Sequence, residues 1–196
     1  MLHYTDLEKT IHELSDTQNI NEYVIISGYV GVVPIKKLAE SFAKQKNNIK
    51  ITLVYGMYGE AKITKSLHQE LCTIQNEYSN VTILYSLKPV HSKIYFVRNQ
   101  GKIKGALVGS ANFSVNGMQN YREVLADAEE NSFKGFSNYF NWVKTHSINC
   151  SSESISFSKT GKLRMDDVQP QKTQGICKLS LLGRNGLVQE KAGLNW

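Results

Sequence analysis

The stretch that decides the fold is residues 91–112, H-S-K-I-Y-F-V-R-N-Q-G-K-I-K-G-A-L-V-G-S-A-N. Two runs rich in β-branched and aromatic residues, 91–98 and 103–108, are separated by the four residues 99–102. A short connection with a glycine available for positive φ is typical of a β-hairpin. The stretch therefore predicts two antiparallel strands joined by a tight turn.

The predicted hairpin gathers polar side chains at one end of its two strands. The register set by a turn at 99–102 places His91 opposite Ser110. Lys93, two residues after His91, falls on the same face of the sheet, and Asn112 follows Ser110 on that face if the chain stays extended. A shift of one residue would separate this set, because side chains alternate between the two faces of a strand.

These four side chains suit chemistry at phosphorus. His91 can attack phosphorus or transfer a proton, since imidazole is both neutral and charged in useful proportions near neutral pH. Lys93 offers a fixed positive charge, and Ser110 and Asn112 offer neutral donors to phosphoryl oxygens. Glu123 is a candidate to accept a hydrogen bond from the second imidazole nitrogen and fix the tautomer. The set does not resemble a metal-binding cluster, so we expect no metal and no cofactor.

Each feature also has a structural explanation, and only the combination is specific. A His-x-Lys sequence is expected by chance about half a time in a chain of this composition. Gly109 can serve close packing of strands, and Gly117 can serve a turn. The joint pattern is H-S-K at 91–93, then G-S-A-N-F-S at 109–114, then Glu123. That combination indicates a catalytic site.

The motif His91-Ser92-Lys93, with Gly109-Ser110-Ala111-Asn112 and Glu123, resembles the phospholipase D superfamily in its nuclease branch with one motif per chain. The element G-S-A-N-F-S-V-N-G at 109–117 is similar to the NgoFVII-type restriction endonucleases. The superfamily motif has an aspartate five residues after its lysine, whereas this chain has Arg98. That departure disfavours a lipid hydrolase.

The resemblance implies a metal-independent DNA endonuclease that works through a covalent phosphohistidine intermediate. One His91 would attack the scissile phosphate, and a second His91 would protonate the leaving oxygen and then activate water. Lys93 and Asn112 would bind nonbridging oxygens, Ser110 would assist, and Glu123 would orient His91. Because each chain carries one motif, we expect a homodimer with one composite active site.

The expected substrate of this type II-like restriction enzyme is double-stranded DNA. A phospholipase D-type lipid phosphodiesterase is one alternative, which two His-x-Lys motifs or an apolar membrane-contact face would favour. A non-catalytic DNA-binding subunit is the other, which a broken motif would favour. The resemblance also implies a separate helicase-like NTPase subunit as a partner. Because the chain has no G-x-x-x-x-G-K motif, any dependence on ATP would have to come from that subunit.

The rest of the chain predicts an α/β fold. Short apolar runs at 22–27, 49–55 and 81–85 alternate with amphipathic patterns, of which the first begins at Pro34. Another helix is predicted from about 132 to 146. Strands that alternate with helices indicate a phospholipase D-like mixed, mostly parallel sheet flanked by helices on both faces.

Composition divides the chain at about residue 150. Residues 1–150 are expected to form the nuclease domain. Residues 151–196 begin with a serine-rich stretch, S-S-E-S-I-S-F-S, which is expected to be a linker. The remainder, up to residue 196, is expected to be the truncated start of a B3-like DNA-recognition domain, as the resemblance implies; the alternative is a C-terminal extension that packs on the first domain.

Charge and cysteine content restrict the partners and the compartment. The 23 Lys and Arg against 17 Asp and Glu give a net charge of +6, which favours polyanionic partners such as nucleic acid. No apolar run approaches the roughly 18 residues of a membrane helix, and no signal peptide is visible. Cys72, Cys150 and Cys177 are far apart and lack C-x-x-C spacing. We therefore expect a cytoplasmic protein without membrane contact.

Overall fold

The structure, a computed structural model, describes residues 1–17, 19–44 and 49–158. Its strands are β1 (Leu2–His3), β2 (Glu22–Ser27), β3 (Lys50–Tyr55), β4 (Val81–Ser86), β5 (Lys93–Asn99), β6 (Lys102–Gly109), β7 (Leu125–Asp127) and β8 (Ser147–Asn149). Its α-helices are α1 (Leu7–Glu13), α2 (Val32–Ala43), α3 (Tyr58–Ala61), α4 (Lys65–Glu77) and α5 (Phe133–Thr145). Short turns of 3-10 or π-helix lie at Leu14–Asp16, Asn116–Asn120 and Glu130–Ser132.

The described strands form one mixed sheet in the order β1-β7-β6-β5-β2-β3-β4-β8. Only the pairs β2–β3 and β3–β4 are parallel among these strands, and the other neighbouring pairs are antiparallel. The expectation of a mostly parallel sheet is therefore wrong, while the mixed α/β fold is confirmed. Helical connections make β2, β3 and β4 parallel. The β5–β6 hairpin and the short edge strands reverse the direction of the chain.

Helices cover both faces of the sheet, as predicted. On one face, Tyr23 and Ile25 of β2 belong to a buried cluster with residues of α1, α2 and α4. On the other face, Val24 and Ile26 belong to a cluster with Phe140 of α5. Because β2 is buried on both faces, its sequence is a nearly continuous apolar run rather than an alternating one.

The hairpin forms as predicted at its turn but not along its length. Asn99 pairs with Lys102. A β-bulge then follows between Val97 and Arg98 of β5, beyond which partners such as Ile94 and Val108 are paired one residue later than predicted. Because a bulge sets two residues of one strand against one of the other, the predicted pairing of strand ends does not hold. The expectation that Ser110 lies opposite His91 is therefore wrong.

The predicted linker and recognition domain at 151–196 lie outside the described residues, except for 151–158. The described part packs on the domain. The backbone N–H of Ser156 donates to the Tyr58 hydroxyl at 2.7 Å, and Phe157 forms a bridge with Ile63. In the described residues, no helix has the length and apolar character needed to cross a membrane.

Candidate active site

The candidate site lies at one end of the two central strands of the sheet, where β2 ends and β5 begins. These strands are antiparallel, and Ser27 of β2 pairs with Lys93 of β5. The pairing brings S-G-Y at 27–29 beside H-S-K at 91–93. Two segments that are far apart in the sequence thus form one side of the site.

Lys93 and His91 are in direct contact. The Lys93 Nζ lies 3.1 Å from Nε2 and 3.2 Å from Nδ1 of His91, and it donates to the His91 carbonyl oxygen at 2.8 Å. Lys93 is only 7% exposed, whereas His91 is exposed. An anion that reached the exposed imidazole would therefore meet a fixed ammonium beside it.

Residues at the end of β2 pack against the His91 ring. The Tyr29 ring meets it edge-on, with 5.9 Å between ring centroids and 78° between ring planes. A Cβ at Gly28 would come within 2.7 Å of His91 Cδ2. The ring lies this close to the backbone because residue 28 has no side chain.

Asn112 joins the site through the same end of β2. Its Oδ1 accepts a hydrogen bond from the Tyr29 N–H at 3.1 Å and lies 3.4 Å from the Ser27 hydroxyl. The Ser27 hydroxyl donates to the Tyr29 carbonyl at 2.6 Å and accepts from the Phe113 N–H at 2.9 Å. The –NH2 group of an asparagine side chain is a hydrogen-bond donor, the type of group that binds a phosphoryl oxygen.

The loop after Asn112 closes in a tight turn. The Ser114 N–H donates to the Asn112 carbonyl at 2.8 Å, and the Gly117 N–H donates to the Ser114 hydroxyl at 3.1 Å. A Cβ at Gly117 would lie 2.4 Å from the Asn112 carbonyl oxygen. The spacing N-F-S-V-N-G therefore fixes the backbone that carries Asn112.

Ser110 and Glu123 lie on the connection between β6 and β7. The Ser110 hydroxyl is exposed and accepts a hydrogen bond from the Val124 N–H at 3.1 Å. Glu123 is half-buried, and in the part of the chain that the structure describes no hydrogen bond joins it to His91. Glu123 is near Tyr95, and the pKa of Tyr95 is raised overall. Burial raises it most, a hydrogen bond with Ser27 lowers it, and the Glu123 charge raises it further. The structure thus brings His91, Lys93 and Asn112 together around β2.

The contribution of β2 is the part of the site that the sequence patterns do not predict. Ser27, Gly28 and Tyr29 hold Asn112 and the His91 ring, yet the run E-Y-V-I-I-S-G-Y by itself predicts only a strand and a turn. Polar and glycine residues at the carboxyl end of a buried strand are a known sign of a site in α/β sheets. That sign could have identified them.

This fold is that of a phospholipase D-like domain: a mixed sheet with a histidine, a lysine and an asparagine gathered near the end of a central strand. The family model described as the NgoFVII restriction endonuclease N-terminal PLD domain matches residues 5–156, and the chain belongs to this family. In the described residues, no group of three or more His, Cys, Asp or Glu side chains is placed to hold a metal ion.

Two solved structures share the fold. NucT from Helicobacter pylori has a TM-score of 0.57 and 18% identity, over 76% of this chain and 97% of that chain. Nuc from Salmonella typhimurium, described as a phospholipase D family member, has a TM-score of 0.50 and 13% identity, over 76% and 95%. No curated protein matches the chain significantly in sequence. At these identities the two structures show a common fold.

Proposed function

We propose that this chain is the catalytic domain of a metal-independent DNA endonuclease that cleaves phosphodiester bonds through a phosphohistidine at His91. The contact that carries the proposal is that of the buried Lys93 ammonium, 3.1 Å from Nε2 of the exposed His91. Membership of a restriction endonuclease family supports a nuclease of the phospholipase D superfamily. The substrate proposed is double-stranded DNA.

The proposed reaction has two displacements at one phosphorus. A nitrogen of His91 attacks, the P–N bond forms, and the P–O bond to the leaving nucleoside breaks as a second imidazole gives that oxygen a proton. Water then attacks phosphorus, gives its proton to the second imidazole, and the P–N bond breaks. Lys93 and the Asn112 –NH2 stabilise the charge on the nonbridging oxygens. We propose that Ser110 assists and that Glu123 orients the imidazole in the assembled site.

The second imidazole is proposed to be His91 of a second copy of the chain. The other histidines of the chain are all in described residues and have contacts elsewhere. His3 contacts Asp127, and His68 contacts the Tyr85 hydroxyl. His146 contacts Trp142, and His12 is placed near Glu8. A two-fold axis beside His91 would provide the pair, giving one composite site per homodimer.

Two further partners belong to the same proposal. A separate helicase-like NTPase subunit would supply any dependence on ATP. Residues 151–196 are proposed to comprise a serine-rich linker and the start of a B3-like DNA-recognition domain; of this segment, 159–196 lie outside the described residues. Recognition of a target sequence would then belong to that second domain.

The experiment that tests the activity is incubation of plasmid DNA with the full chain in excess EDTA. We expect wild type to nick and then linearise the plasmid, and His91→Ala to leave it intact. His3→Ala is the matched control, because His3 lies on the edge strand β1, its ring contacts Asp127, and it has no part in the proposed reaction, so the variant should keep wild-type activity. Cleavage that requires added magnesium would contradict the mechanism.

The homodimer is tested by mixing subunits. Excess His91→Ala protein, equilibrated with wild type, should depress cleavage below simple dilution, because heterodimers lack one of the two imidazoles. Sedimentation at the working concentration should give twice the chain mass of 22.1 kDa. A monomer with full activity would overturn the composite site.

A further inference from the structure

Helix α5 presents a row of aromatic rings beside the active-site segment. The ring centroids of Tyr139 and Trp142 lie 6.3 Å apart with 15° between ring planes. Those of Trp142 and His146 lie 4.6 Å apart with 31° between ring planes. We call Tyr139, Trp142 and His146 the aromatic row. Trp142 is its most prominent member, with 44% of the residue exposed.

Both ends of the aromatic row are joined to the loop that leads to His91. At one end, the Tyr139 hydroxyl lies 3.0 Å from the hydroxyl of Ser92, the neighbour of His91 in the chain. At the other end, the carbonyl oxygen of His146 accepts a hydrogen bond from the Leu87 N–H at 2.8 Å. The row therefore runs beside residues 87–92 and ends next to the proposed nucleophile.

Packing of the helix does not explain why Trp142 is there. Phe140 and Val143, which are 1% and 0% exposed, attach α5 to the sheet, and the Phe140 ring lies 5.7 Å from that of Phe96. Trp142 contacts only members of its own row among the ring pairs of the described residues. A large aromatic side chain left this exposed is available to a ligand.

The charge around the aromatic row suits a polyanion. The helix sequence F-K-G-F-S-N-Y-F-N-W-V-K-T contains Lys134 and Lys144 and no acidic residue. Lys88, in the loop beside the row, is exposed, as are Asn138 and Asn141. Exposed aromatic rings among cations and amides are the composition of surfaces that bind unpaired nucleic acid strands.

We propose that Trp142, supported by Tyr139 and His146, is a base-stacking subsite for an unpaired nucleobase close to the scissile phosphate. The inference rests on the proposed function, because continuity with His91 is what selects a nucleic acid strand as the occupant. The Ser92–Tyr139 contact and the 6.3 Å step from Tyr139 to Trp142 connect the subsite to the chain neighbour of His91. Paired bases of a duplex are already stacked on each other, so the subsite requires a strand that is open at this point.

Intrinsic fluorescence tests the stacking directly, since the chain has two tryptophans, Trp142 and Trp196. In a full-length Trp196→Phe protein, Trp142 is the single tryptophan, so emission excited selectively from indole reports on it alone, and adding His91→Ala prevents cleavage. We expect oligodeoxythymidylate of about 12 nucleotides to quench the emission by about half. An abasic strand of equal length, with the same phosphates, should leave the emission unchanged. Equal quenching by both strands, or no quenching by either, would overturn the subsite.

Affinity gives an independent measurement that does not depend on the probe fluorophore. In the His91→Ala background, Trp142→Ala should weaken binding of the same oligodeoxythymidylate about tenfold, while Trp142→Phe keeps it within about threefold. Tyr4→Ala is the matched control, because Tyr4 is 71% exposed and follows β1 at the other end of the sheet. Equal losses in Trp142→Ala and Tyr4→Ala would contradict the proposal.

Two outcomes separate the subsite from the nuclease activity and from a membrane role. Cleavage without base-dependent quenching would support the nuclease activity and contradict the subsite. Base-dependent quenching without cleavage by the wild type would support the subsite and contradict the nuclease activity. Sedimentation with vesicles of anionic phospholipid tests a membrane role for the same surface. If Trp142→Ala lost vesicle binding and kept strand binding, the aromatic row would be a lipid contact and the proposal would be wrong.

Discussion

The two ends of strand β5 each carry a cation, and their surroundings differ. At the start, the Lys93 ammonium contacts the ring and carbonyl of the exposed His91. Near the end, the Arg98 Nε donates to the Glu22 carboxylate at 2.7 Å, and the guanidinium lies 5.0 Å from the centre of the Phe140 ring. One cation contacts an exposed imidazole, and the other is paired with a carboxylate and an aromatic ring.

This difference explains why the motif can depart from its superfamily pattern at Arg98. The position belongs to the same strand as Lys93 but lies five residues along it, about 16 Å away in an extended chain. Arg98 pairs with Glu22 at the beginning of β2, whereas the candidate site lies at the end of β2. The substitution therefore changes the ion pairing of the sheet and leaves the candidate site intact.

Removing the first cation should have the largest effect. Lys93→Met keeps the buried volume but removes the charge, so we expect single-turnover cleavage to fall about 10²- to 10³-fold. Stability should hold or rise, because a mostly buried ammonium has been replaced by an apolar side chain. Single-turnover kinetics and thermal unfolding measure the two effects. Cleavage close to the wild-type rate would show that Lys93 does not contact the phosphate.

Removing the second cation should affect folding instead. Arg98→Met leaves Glu22, whose side chain is 18% exposed, without its partner, and should lower the free energy of unfolding by about 2–3 kcal/mol. Urea unfolding measures this loss, and cleavage per folded molecule should stay near wild type. The double variant with Glu22→Gln should recover part of the stability. A folded Arg98→Met protein without activity would contradict the claim that Arg98 contributes to folding and not to the site.

Moving the His91 ring without changing any charge should have a smaller effect. Gly28→Ala places a Cβ 2.7 Å from His91 Cδ2, so the exposed ring must shift, and we expect about a tenfold loss of turnover. Stability should change by less than about 1 kcal/mol. Gly135→Ala is the control, because a Cβ there meets nothing within 4 Å, and activity should be unchanged. Equal rates in both variants would show that the ring position is not critical.

An exposed ion pair should show the smallest effect and sharpen the contrast with Arg98. Burial raises the pKa of Asp127, but hydrogen bonds from His3 and the N-terminal amine lower that pKa overall. A lowered pKa in the folded state means that the contribution is present near neutral pH and is lost as the pH falls below about 4. Asp127→Asn should therefore cost less than about 1 kcal/mol at neutral pH. Unfolding at neutral and acidic pH should show the difference between the two proteins vanish in acid.

Elements built from continuous apolar runs could be predicted from the sequence. The predicted strand at 22–27 coincides with β2, and the predicted helix at 132–146 coincides with α5 to within a residue at each end. The strands β1, β7 and β8 have only two or three residues, too few to show a period of two. No local pattern shows that β5 pairs with β2 in the antiparallel sense. For these two reasons the expected orientation of most of the sheet is wrong.

The contact of His91 with Lys93 follows from their spacing at the start of one strand and needs no long-range information. Asn112 reaches the same region through Tyr29 and Ser27, a contact between a strand end and a distant loop that no local pattern reports. The one-residue bulge is equally invisible, because it changes the pairing without changing the composition of either strand. The catalytic roles of all five residues, His91, Lys93, Ser110, Asn112 and Glu123, stay predictions.

The bulge also determines where the hairpin can lose a residue without changing which face of the sheet its later side chains occupy. Lys104 is the residue of β6 that the pairing skips, since Gly105 already lies opposite Val97. Deleting Lys104 would restore a regular ladder and keep every later pair. The polar side chains at the end of the hairpin would therefore stay on the same faces of the sheet. Removing one residue between Gly105 and Asn112 would instead turn the segment that carries Asn112 to the other face of the sheet. Relatives and engineered variants should therefore differ in length at the bulge or the turn, and hold 105–112 constant.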